Sequence, residues 1–175
     1  MTHQFPDPRL LANLAASLPP RARVGLALMG AFFALDYLKE SADFLVAQQA
    51  FRLARRWYDS RAVYPEAIEN TILNEHQDGI LFCELRAKTK IEQIAWLALV
   101  TAVAYTAFHA YKARDEMPGP LITEVDEHAL DLLNEYLDTL IPSAINAMTT
   151  AAEYLRADPS IQFDDLEKIA SVARK

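Results

Sequence analysis

The chain has 175 residues, 52% hydrophobic and 10% aromatic, enough to bury one domain-sized core, and this argues against disorder. Four Gly against nine Pro disfavour folds built on hairpins or phosphate loops. The net charge of −7 is concentrated: residues 1–114 hold 13 Lys/Arg and 11 Asp/Glu, whereas residues 115–155 hold 9 acidic residues and no Lys or Arg. Such a block opposes nucleic acid and anionic lipid, and suits a basic partner. Cys83 is the only cysteine, so an intramolecular disulfide and a multi-thiolate metal site are excluded, and a reducing compartment, the cytoplasm, is expected. The first eight residues carry neither a basic n-region nor an apolar h-region, so no signal peptide is predicted.

In chain order, Asp7-Pro8 reads as a cap and first helical residue, followed by the apolar face Leu10, Leu11 and Leu14. Pro19-Pro20 starts a second helix that is apolar almost all round, from Val24 to Leu38, and is therefore predicted to be a buried core helix. A break is expected near Lys39–Ser41, after which Phe44 to Trp57 is amphipathic. Tyr64-Pro65 opens a short helix through Ile68, Ile72 and Leu73; Asn74 to Gly79 is a polar turn, and residues 80–86 fit either a helical turn or an extended segment.

Lys88 to Arg114 reads as one long helix whose stretch Ile94–Tyr111 lacks any charged residue. That stretch reaches the lower bound for a membrane span. Its six alanines, with Thr101, Tyr105, Thr106 and His109, fit the centre of a bundle better. Met117-Pro118-Gly119-Pro120 ends it. Thr123 to about Ile141 is predicted as the next helix, with Thr123-x-x-Asp126 in the form of a capping box. Pro142 interrupts, a segment follows to Leu155, Asp158-Pro159 turns, and a last short helix has Asp164 as its cap.

The acidic stripe is the most specific surface feature. Glu124, Glu127, Asp131, Glu135 and Asp138 are spaced 3, 4, 4 and 3 apart, which on one helix gathers them within about 80°. His128 shares that face. Like charges at this spacing cost a few tenths of a kcal/mol per pair, so a stability argument does not account for them. Three readings stand: a solvated face, a face paired with Arg52, Arg55, Arg56 and Arg61, or a docking surface for a basic protein.

Glu124, His128, Asp131 and Glu135 also have metal-binding chemistry, but the Glu-x-x-His motif of di-iron bundles does not occur, and no metal or cofactor is expected. Cys83 in Leu-Phe-Cys-Glu-Leu is expected to be an inert, high-pKa thiol. No Gly-x-Ser-x-Gly, Walker loop or His-Glu-x-x-His appears, and His76 and His109 read as a loop and a packing residue, so no catalytic residue is assigned.

An order of short motifs runs through residues 40–140: an apolar helix ending in Trp57, the turn at Asp78-Gly79, Ala95-Trp96, Ala104-Tyr105-Thr106 leading to Ala110-Tyr111, then Met117-Pro118 and Leu121-Ile122-Thr123-Glu124-Val125-Asp126-Glu127. In these the chain resembles an all-helical immunity-protein family of bacterial polymorphic toxin systems, the one numbered six. The resemblance implies a protein encoded beside a secreted toxin domain that neutralises it by direct binding, without catalytic residues.

The expectation is thus an all-α protein, one compact and mostly antiparallel bundle of about six to eight helices over residues 1–175, with Ile94–Tyr111 at its centre. It would bind a cognate, basic toxin domain stoichiometrically through Glu124, Glu127, His128, Asp131, Glu135 and Asp138. A helical small-ligand-sensing or regulatory domain is the alternative.

Overall fold

A computed structural model describes residues 8–74, 76 and 78–173. These form helices only: α1 (Pro8–Ser17), α2 (Pro20–Leu38), α3 (Phe44–Ser60), α4 (Pro65–Ile72), α5 (Ile80–Leu85), α6 (Lys90–Arg114), α7 (Pro120–Thr123), α8 (Ala129–Leu140), α9 (Ala144–Ala157) and α10 (Phe163–Ala173). The number exceeds the expected six to eight because residues 80–86 resolve into a helix and because the chain breaks between α7 and α8. The predicted cap Asp7 lies outside the described residues.

Two helices without a polar face make the centre. In α2, Val24, Leu26, Leu28, Met29, Phe33 and Leu38 are all buried, and in α6 so are Trp96, Leu99, Val103 and Tyr105. A helix that is apolar on every side must be covered on every side. Among the described helices α6 packs most extensively on α2, and α3, α4, α5, α7 and α8 pack on it as well. The long α6 is apolar enough to cross a membrane by length and composition, and within the protein other helices cover much of it. The outer helices are amphipathic and bury one face each. Trp57 and Tyr58 of α3, Ile68 and Ile72 of α4, and Leu133 and Leu137 of α8 turn inward.

Two glycines set how closely helices meet α2. A Cβ on Gly25 would lie 2.8–2.9 Å from the Tyr58 ring and hydroxyl, and one on Gly30 would lie 2.9 Å from Leu133 Cδ2. Tyr58 is fully buried and its hydroxyl donates to the Ile161 carbonyl at 2.7 Å, which ties α3 to the α9–α10 turn.

Helix ends follow local chemistry at some places and tertiary chemistry at others. Thr89 caps α6, accepting from the Glu92 N–H at 3.0 Å, while Glu92 accepts in return from the Lys88 N–H at 2.9 Å. The last helix differs from expectation. Asp164 lies inside the first turn of α10 and pairs with Arg55, whereas Asp59 of α3 accepts the Phe163 N–H at 2.8 Å. The N-terminus of α10 is therefore capped from another helix. Cys83 is buried, its Sγ 3.5 Å from the Gly79 carbonyl, and burial foremost pushes the thiol up to about 11.

Candidate functional site

The expected single helix from Thr123 to Ile141 is two segments. The left-handed Asp115 (φ 55°) ends α6, and Pro120 then starts the four-residue α7. The Thr123 hydroxyl donates back to the Gly119 carbonyl at 3.0 Å, so the capping box does not form. Instead Asp126 Oδ1 accepts the His128 N–H at 2.8 Å, a local side-chain turn that competes with helix. α8 begins only at Ala129.

This break divides the five acidic-stripe residues and the His128 expected beside them. Asp131, Glu135 and Asp138 remain together on the exposed face of α8, with exposed His128 just before it and its Nδ1 3.5 Å from Asp131 Oδ2. Glu124 is exposed at the C-cap of α7, on a different helical segment from them. Glu127 turns back toward the core.

Glu127 is the hub of a polar network. Its Oε2 accepts from Arg23 Nη1 of α2 at 2.8 Å and from the Tyr105 hydroxyl of α6 at 2.5 Å, and Oε1 lies 3.7 Å from His109 Nε2. Arg23 is held for this role by bonds from Nε to the Leu18 carbonyl at 2.7 Å and from Nη2 to the Ala16 carbonyl at 3.3 Å. Burial pushes the Glu127 carboxyl up, but the hydrogen bonds from Tyr105 and Arg23 outweigh it and leave the group below its ordinary range. Burial, then the bond to Glu127, push the Tyr105 hydroxyl far up. Burial dominates at His109 and lowers it to about 4, against the pull of Glu127. At neutral pH the carboxylate is charged and the phenol and imidazole are neutral.

The arginines expected as partners of the stripe go elsewhere. Arg55 bridges α3 to α10 through Asp59 at 3.7 Å, Glu167 at 3.3 Å and Asp164. Arg61 lies over the Trp57 ring, 3.8 Å from its centroid. Among the described residues, neither these two nor Arg52 and Arg56 form an ion pair with Glu124, Asp131, Glu135 or Asp138; of the stripe carboxylates only Glu127 meets an arginine, Arg23. The chain pattern offered one signal of this network, since Tyr105 and His109 stand four residues apart on an otherwise apolar helix. Nothing in it pointed to Arg23.

The outer face of α8 also borders a groove of about 360 Å³ between α1, α8 and α9. Leu11 and Ile145 line its apolar side; Asp131, Glu135 and Asp138 line its acidic side. Such a groove can take a basic side chain whose stem is apolar. Among the described residues no group of three or more His, Cys, Asp or Glu side chains converges as a metal site.

Residues 22–140 match the family described as Immunity protein Imm6. No curated protein and no solved structure matches the chain.

Proposed function

Because the chain belongs to the immunity protein family Imm6, matched over well more than half its length, we propose that it binds a cognate bacterial toxin domain directly and neutralises it by stoichiometric occlusion in the cytoplasm. Family membership is the observation that carries this reading. Neutralisation needs no chemistry from the immunity protein; covering the toxin's working surface is enough.

The contact surface we propose is the acidic face of α8 with its groove against α1. Asp131, Glu135 and Asp138 are exposed, share one helix face and have no Lys or Arg partner among the described residues. Unpaired like charges on one face cost stability and favour encounter with a basic surface. The partner is therefore basic, and its Lys or Arg stems would enter the groove beside Ala12. Glu127 is excluded from that surface as a free charge, because Arg23 and Tyr105 already use it.

The test is binding between this chain and the toxin domain of the neighbouring gene, by titration calorimetry at two salt concentrations. A one-to-one complex that weakens with salt is expected. The Asp131→Lys, Glu135→Lys, Asp138→Lys triple variant should lose at least about tenfold in affinity while keeping its helical signal. Unchanged affinity in that variant moves the contact off α8; no complex at all removes the immunity reading.

A further inference from the structure

Glu127 borders a cleft whose character is opposite to that of the acidic groove. It measures about 240 Å³ and runs between the start of α2, the end of α3 and the last turns of α6. Arg21, Arg61 and Lys112 line it together with Trp57, His109 and Glu127. Among the described residues none of the three cations has a carboxylate within ion-pair distance. Glu127 lines the cleft too; its Oε2 is held by Arg23 and Tyr105, and its Oε1 lies 3.7 Å from His109 Nε2, beyond hydrogen-bond distance. The cleft is therefore a concentration of positive charge in a chain of net charge −7.

Three details show that this charge is held in place. Arg21 is fixed by backbone carbonyls, with Nη1 2.9 Å from Pro159 O and Nε 3.4 Å from Tyr58 O. The Arg61 guanidinium lies 3.8 Å over the Trp57 ring, and Lys112 Nζ lies 4.3 Å over the Phe108 ring. Arg61 is also the C-cap of α3 in left-handed backbone, φ 57°, a position where glycine is the unstrained choice. A strained non-glycine residue that carries an unpaired charge points to a use for that side chain.

The last observation concerns His109. Its side chain is only 4% exposed, it lines the cleft, and its Nε2 has no hydrogen-bond partner. Buried polar atoms are rarely left so, and those that are call for an explanation. Burial keeps the imidazole neutral, and in its Nε2–H tautomer this atom is a donor that faces the cleft.

We propose that this cleft is an oxyanion site, in which Arg61, Lys112 and His109 Nε2 together receive one carboxylate or phosphate group. Its size admits a single such group and not a nucleotide. The group comes either from a free small molecule or from an acidic side chain of a bound protein; the cleft chemistry is the same for both.

The test uses the full chain and nitrogen–proton NMR spectra, in which the indole of Trp57 reports on the cleft and that of buried Trp96 serves as an internal control. Inorganic phosphate is titrated at constant ionic strength against chloride, and the toxin domain is added separately. The Trp57 resonance should move saturably while Trp96 stays still. Arg61→Gly relieves the left-handed strain, so it should keep the fold and the melting temperature while weakening the response at least ~10-fold. Movement with phosphate and an unchanged toxin affinity of Arg61→Gly assigns a free oxyanion. Movement with toxin, and weaker toxin binding by Arg61→Gly, assigns an acidic side chain of the partner. A Trp57 response equal to that of Trp96 in both titrations, or one that persists in Arg61→Gly, overturns the site. A chain that responds to phosphate but forms no complex with the toxin keeps the oxyanion site and loses the immunity reading, so the two can fail separately.

Discussion

Replacing Glu127 by Ala tests the network that joins α2, α6 and the α7–α8 turn. The buried Tyr105 hydroxyl then has no acceptor, and leaving a buried donor unsatisfied costs about 1–3 kcal/mol. The Arg23 pair adds less. Glu127 is 44% exposed, so solvent screens the pair and it is worth about 0.2–1 kcal/mol. Arg23 also keeps its carbonyl partners Leu18 and Ala16, so it is not stranded. The expected loss is about 1–4 kcal/mol, read at neutral pH as a lower urea midpoint with unchanged slope, followed by far-ultraviolet circular dichroism. The decisive comparison adds Tyr105→Phe. If the orphaned hydroxyl is the main cost, the second change removes it, and the double variant should be as stable as Glu127→Ala or more so. A further loss of about 1 kcal/mol on adding Tyr105→Phe would show that water satisfies the hydroxyl, and would refute the reasoning.

Three more outcomes follow from other parts of the structure. His109 is lowered to about 4 mainly by burial, so between pH 6.5 and about 4 the unfolded chain binds a proton that the fold does not; stability should fall as pH falls through that window, by up to ~3 kcal/mol, and His109→Gln should flatten the slope in pH-dependent urea titrations. Gly25→Ala improves helix propensity yet places a Cβ 2.8 Å from the Tyr58 hydroxyl, so a net loss of about 1–2 kcal/mol is expected in thermal unfolding, and a stabilised variant would show that α3 can retreat. Cys83 is buried with its thiol pushed up to about 11, so a thiol reagent at neutral pH should label it only on unfolding; rapid labelling of the native chain would contradict this burial.

How much was legible in the chain differs by element. The two all-round apolar helices α2 and α6 could be read directly, since an uncharged stretch such as Ile94–Tyr111 has few destinations other than a core. The breaks at Pro65, Met117–Pro120, Pro142 and Pro159 were legible too, because proline removes a donor and restricts the residue before it. The family could be recognised from short motifs over residues 40–140, and the match itself begins earlier, at residue 22.

The acidic stripe was legible only in part. Helical spacing placed five carboxylates on one face, but that inference required an unbroken helix through residues 123–141. Asp126 forms a turn with the His128 N–H instead, a competition between two local bonding patterns that spacing does not resolve. Asp131, Glu135 and Asp138 kept their common face because they lie beyond the turn.

By itself, then, the chain determined most of the helical segments, though not residues 80–86 or the break before α8, along with which two helices must be buried and where negative charge accumulates, since these depend on neighbours within a few turns. Only the tertiary structure decided which charges are free. Arg23 meets Glu127 across 104 residues, Asp59 caps a helix 104 residues away, and Arg55 turns to α10 rather than to the stripe. Pairings over such separations depend on how helices are placed in space, and no local pattern encodes them.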